Sequence, residues 1–211
     1  MRERAWPLLL CLTATLLLGS PTTAEGQVAG GGPEFRVSAG VFAPLSLLST
    51  SDVSFSTEVS SSAALSGGVT WWLGAVGVSA RGVWAPAQLS LRPTGIGGAV
   101  PDDLGDADYL AGTVDLVYRL RFRGPASLVE PFLALGAGVR RLELDPVASP
   151  EVRSATDPLG TVAAGARVDV WRPVAIHVEV RDHVSEFDAT PTGSSELQND
   201  ILVTVGLSIR P

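Results

Sequence analysis

The chain has 211 residues, with 15 basic and 22 acidic side chains and a formal net charge of −7. Every basic residue is Arg, and an acidic chain of this size argues against nucleic-acid binding while leaving room for one ordinary domain. The single cysteine, Cys11, lies in the first apolar run, so beyond that run a disulfide framework or a thiolate metal site is excluded.

Residues 1–26 read as a secretory signal peptide. Arg2 and Arg4 precede an apolar stretch from Leu8 to Leu18, and small residues follow, with cleavage expected after Ala24 or Gly26. Removing the leader leaves a net charge of −8 for cleavage after Ala24 and −7 for cleavage after Gly26. A Gly-rich lead-in, residues 27–34, comes next. After the leader no apolar run approaches the roughly eighteen residues of a membrane-spanning helix. A spanning β-strand needs only about ten alternating residues and escapes that test.

Eight strands are predicted in chain order: 35–44, 63–73, 76–84, 108–121, 131–143, 160–171, 174–184 and 199–210. No segment carries a helical period with caps, so the fold class is all-β. The connections alternate. Gly74-Ala75, "RGPAS" and Arg172-Pro173 are short, whereas 45–62, 85–107, 144–159 and 185–198 are long. A soluble sandwich has no reason to collect its long loops at one end. An antiparallel up-and-down transmembrane barrel has, with short periplasmic turns and four long extracellular loops.

Aromatic residues collect at the short-turn ends: Phe35, Trp71, Trp72, Tyr118, Phe122 and Trp171. That placement predicts an interfacial aromatic girdle. Phe42, Trp84 and Tyr109 are candidates for a thinner girdle at the other end.

The strand "VAIHVEVRDH" separates the two faces most clearly. Val174, Ile176, Val178 and Val180 alternate with His177, Glu179, Arg181 and His183. Similar alternation runs from Ile201 to Ile209, from Val162 to Val170 and from Leu110 to Tyr118. The narrow Val/Ala/Leu faces are expected to meet lipid. The predicted lumen then holds Arg36, Arg81, Asp115, Arg119, Arg121, Arg167, Asp169, His177, Glu179 and Arg181, with Glu130 beside them. Unpaired charges there are costly, so an Arg–carboxylate network filling the interior is expected rather than a pore. The competing reading is a soluble periplasmic or secreted barrel that binds a small apolar ligand. It inverts the faces and puts Arg36, Arg167 and Arg181 in water.

From about Pro33 to Pro211 the chain resembles the OmpA- and OmpX-like eight-stranded outer-membrane barrels. The resemblance rests on "EPFLALGAGVR" in the fifth strand and the closing "NDILVTVGLSIR". It implies a non-enzymatic, monomeric protein of the cell outer membrane with a structural, envelope or surface-contact role. Its partners would be outer-membrane lipid and lipopolysaccharide and the outer-membrane assembly machinery. No cofactor, metal or catalytic residue is implied, and no peptidoglycan-binding domain is expected after the barrel. Such barrels usually end in an aromatic residue, whereas this chain ends Ile209-Arg210-Pro211.

Three further motifs bear on function. His183 and Ser185, with Glu196, are similar to the His-x-Ser and later Glu of outer-membrane lipid A deacylases. However, His183 has inward parity, and Glu186 stands where that family has Asn. The acidic stretch "PDDLGDAD", with Asp102, Asp103, Asp106 and Asp108, is read as a loop whose oxygens could take Ca²⁺, although solvated turns are the commoner outcome. The Ser/Thr-rich "STSDVSFSTEVSSSA" is read as a variable loop tip.

Overall fold

The computed structural model describes residues 31–45, 48–49, 55–93, 102–120, 129–144, 155–187 and 196–211. The expected signal peptide, Arg121 and Phe122 lie outside these residues. Among the described residues there are ten strands: Gly32–Pro44 (β1), Leu48–Ser49 (β2), Phe55–Val59 (β3), Ser62–Leu73 (β4), Val76–Pro93 (β5), Asp102–Arg119 (β6), Val129–Leu144 (β7), Ala155–Trp171 (β8), Val174–Phe187 (β9) and Glu196–Ile209 (β10).

Eight long strands close into one antiparallel ring. Each pairs with its neighbour in sequence, and β1 joins β10 to seal the barrel, with Phe35 opposite Ile209 and Ala43 opposite Ile201. Closure satisfies both edges of every long strand, which an open sheet in lipid could not do. The short strands extend one wall. Residues 76–84 of β5 pair with β4, and residues 89–93 pair with β3, which in turn pairs with β2.

The strands run farther outward than the residue pattern indicates. Residues 85–93 and 102–107, assigned to a long loop, belong to β5 and β6, and residues 87–91 pair with 102–107 across a register shift at Leu89/Ser90. The acidic stretch 102–108 is therefore strand, not loop. Likewise β8 begins at Ala155 and β10 at Glu196, so the connections before them are shorter than expected. Ala, Pro, Gln and Asp fill these extensions. They read as loop because they lack the Val/Ile alternation, yet ladder hydrogen bonds do not require it. At the other end the hairpin between β4 and β5 turns at Gly74, whose φ of 74° is a conformation that glycine adopts without Cβ strain.

Strand alternation sorts the side chains into two environments. Val37, Val41, Leu65, Val78, Val114, Leu116, Leu133, Leu135, Val139, Val162, Val178, Val180, Val203, Val205 and Leu207 are exposed on the outer wall. Arg36, Arg167 and Arg181 are buried inside it, which overturns the inverted, soluble arrangement. From Ile201 to Ile209 the outward face of β10 is apolar throughout. At about 3.3 Å per residue and a tilt of about 40°, such a run rises roughly 20–23 Å, close to the apolar band of outer-membrane barrels.

Candidate functional site in the barrel interior

The interior is built in layers, each side chain delivered by the inward parity of its strand. At the short-turn end Glu34 of β1 is the hub. Its carboxylate accepts from Arg210 Nη2 at 2.6 Å, Trp72 Nε1 at 3.1 Å, and Arg36 and Arg119 at 3.3 Å. Arg167 lies 3.7 Å away and also pairs with Glu130 at 3.2 Å and Asp169 at 2.6 Å. The Arg119 guanidinium sits over the Trp72 ring, 3.3 Å from its centroid.

The middle layer centres on two carboxylates. Glu179 accepts from Arg81 at 2.7 Å, Arg181 at 2.9 Å and Arg36 at 3.3 Å. Asp115 accepts from Thr161 at 2.6 Å and Arg181 at 2.8 Å. Arg36 thus ties the lower layer to the middle one. Gly165 of β8 clears space at this wall, since a Cβ there would lie 2.5 Å from the Phe132 ring.

Toward the outer end an apolar belt crosses the lumen: Phe42, Ala64, Val83, Ala85, Tyr109, Ala111, Leu159 and Leu202. The Phe42 and Tyr109 rings are 4.4 Å apart, and the Tyr109 hydroxyl is 2.7 Å from His183 Nδ1. Beyond the belt Arg140 pairs with Asp200 at 3.1 Å and Asp157 at 3.3 Å.

Of the residues predicted for the lumen, Arg36, Arg81, Asp115, Arg119, Arg167, His177, Glu179 and Arg181 are buried together inside the barrel. Asp169 keeps the register of Arg167 on β8 and pairs with it at 2.6 Å, but it sits at the mouth with its side chain 59% exposed.

Trp72 is a correction to the expected girdle. Phe35, Trp71, Tyr118 and Trp171 are exposed on the outer wall near the short turns, whereas Trp72 is 1% exposed and points inward. Adjacent residues of a strand face opposite sides, so Trp71 and Trp72 cannot both join a girdle. Phe42 and Tyr109 are likewise interior, and only Trp84 of that trio faces out, donating to Asp108 at 3.2 Å.

Five charged members of these layers were not anticipated: Glu34, Arg140, Asp157, Asp200 and Arg210. Parity carried a signal for some, because Glu34 shares the face of Arg36, and Asp200 that of Leu202 and Thr204. His183 and Ser185 are buried inside the barrel, facing away from lipid. No group of metal-binding side chains occurs among the described residues.

No protein-family model matches the chain, and no curated protein matches it by sequence. The solved structures are more informative. Neisserial surface protein A (NspA) superposes with a TM-score of 0.60 at 11% identity, covering 86% of this chain and 99% of that one. The outer membrane protein OprG from Pseudomonas aeruginosa superposes with a TM-score of 0.57 at 13% identity, covering 86% and 98%. At such identities the likeness speaks for architecture. With its charged interior, apolar outer belt and closed ring, the chain has the fold of the eight-stranded outer-membrane β-barrels.

Proposed function

We propose that this protein is a non-enzymatic, monomeric barrel of the outer membrane of a double-membraned bacterium, exported by the leader at residues 1–26, with a structural or surface-contact role. One observation carries the reading. The interior is occupied by paired charges and an apolar cluster, while the outer wall is apolar over a membrane-sized height except for Asp182, beside Ile201 and Val162 at its outer rim. Such an interior supports a plug rather than a path. Lipid and lipopolysaccharide then contact the wall, and surface partners meet the outer ends of the strands.

Two measurements on one preparation test this. Unboiled protein from washed outer membranes should run faster on an SDS gel than boiled protein. The same protein in planar bilayers should give no stable conductance steps. Recovery in the soluble periplasmic fraction would refute the location, and ohmic steps of uniform size would refute the closed interior.

A further inference from the structure

The buried charges are not evenly distributed along the barrel axis. Beyond the apolar belt one guanidinium, Arg140, meets two carboxylates, Asp157 and Asp200. In the middle Arg81 and Arg181 match Glu179 and Asp115. At the short-turn end four guanidiniums, from Arg36, Arg119, Arg167 and Arg210, meet three carboxylates, from Glu34, Glu130 and Asp169. Arg36 also serves Glu179, so among the described residues the short-turn and middle layers together set six guanidiniums against five carboxylates.

The short-turn end has an excess of donors. The Nε–H groups of Arg36, Arg119, Arg167 and Arg210 are buried and have no acceptor. Both ring nitrogens of His177 and the Ser208 hydroxyl are in the same condition. His177 faces Arg167 across the β8–β9 ladder, and Ser208 faces Arg36 across β1–β10, so these groups belong to one wall. A guanidinium can only donate. Water can satisfy such N–H groups, but it does not balance the charge, and an anion does both.

We propose that the short-turn mouth of the barrel is a binding site for a small anion, a halide or a phosphate- or carboxylate-type oxyanion, held by Arg36, Arg119, Arg167 and Arg210 with help from His177 and Ser208. The approach is from the periplasmic side, where Arg210, Glu130 and Asp169 are partly exposed. The site is a dead end, because the Glu179–Asp115 layer and the apolar belt close the lumen above it. An oxyanion could arrive free or as the headgroup of an anionic lipid.

Trp72 is a built-in reporter, since its indole touches both Glu34 and Arg119. The full chain with Phe in place of Trp6, Trp71, Trp84 and Trp171 keeps Trp72 as its sole indole. Refolded into uncharged detergent, it is titrated with iodide, an anionic quencher, and with acrylamide, a neutral one. The site predicts saturable iodide quenching, relieved by chloride or inorganic phosphate and weakened about tenfold by Arg210→Gln, as expected for loss of one charge-assisted hydrogen bond. Arg141→Gln, an exposed position near the other end, should leave it unchanged.

In neutral-lipid vesicles relief by phosphate identifies a free anion. Relief on adding phosphatidylglycerol alone identifies a headgroup. Iodide quenching that is linear and unsaturable, or that follows acrylamide, overturns the proposal. If Arg210→Gln gives no heat-modifiable folded band, saturation and competition in the unsubstituted reporter chain decide.

Discussion

Arg210 donates to Glu34 across 2.6 Å, and that contact joins the last residues of β10 to the first residues of β1. The two residues are 176 positions apart in sequence. Closing a ring from its two terminal strands joins the most distant parts of the chain, so a buried ion pair at this seam is well placed to fix its register. Glu34→Gln should therefore cost much more than an ordinary surface change. Removing one partner of a buried ion pair costs about 3–5 kcal/mol, and here several guanidiniums lose their shared acceptor. Urea unfolding of the refolded barrel in detergent measures the loss, and a change below about 1 kcal/mol, the scale of an exposed pair, would show that the hub is not buried as described.

The same knot distinguishes two neighbouring tryptophans. Trp71 meets lipid, whereas Trp72 donates to Glu34 and lies beneath Arg119. Trp71→Phe keeps an aromatic ring at the interface and should change stability by less than about 0.5 kcal/mol. Trp72→Phe deletes a hydrogen bond to a buried carboxylate and weakens the cation–π contact, for about 2 kcal/mol or more. Equal effects in the same urea titration would contradict the opposite orientations.

Much of this arrangement is legible in the residues themselves, and the failures have physical causes. Period-two alternation in Val174–His183 by itself separates the lipid face from the lumen. The Trp71–Trp72 pair carries its own correction, because the same period forbids both rings from facing lipid. Glu34 escaped for a different reason. It follows the Gly-rich "GQVAGGG", where strand propensity is weak, although its parity with Arg36 places it inside. Asp169 was legible as a partner of Arg167 but its 59% exposure was not, because alternation gives the face of a side chain and not its depth below the mouth. The outer extensions of β5 and β6 were hidden because pairing, not composition, makes them strands.

The middle layer offers a double-mutant test of one shared network. Glu179 and Asp115 both accept from Arg181. Glu179→Gln and Asp115→Asn each leave buried guanidinium charge short of a partner, at about 3 kcal/mol apiece. Groups in one network do not add, so the double variant should depart from the sum of the singles by about 0.5–3 kcal/mol. Strict additivity would mean that the two carboxylates act as separate pairs.

The glycine at the β8 wall can be tested by filling the space it leaves. Gly165→Val places branched carbons against the Phe132 ring and the Val178 carbonyl, where even a Cβ is too close. Overpacking of this kind costs about 1–3 kcal/mol. Gly112, with open space around its Cβ position on the outer wall, should accept the same change without loss. A Gly112→Val variant as damaged as Gly165→Val would reverse the assignment of the two faces.

The outer wall makes the last prediction, and its sign depends on what surrounds the barrel. Val178 is exposed on β9, while its chain neighbours His177 and Glu179 are buried. In water Val178→Arg on an exposed strand position is nearly neutral. In lipid an Arg at the bilayer midplane costs about 2–4 kcal/mol, falling toward zero at the interfaces. The expected result is a loss of about that size for Val178→Arg in phospholipid vesicles, and a much smaller one for Arg at Trp171, which lies at the interface. Both folding free energies come from urea titrations followed by the heat-modifiable band. Equal, small losses at the two positions would mean that the exposed Val face never meets hydrocarbon.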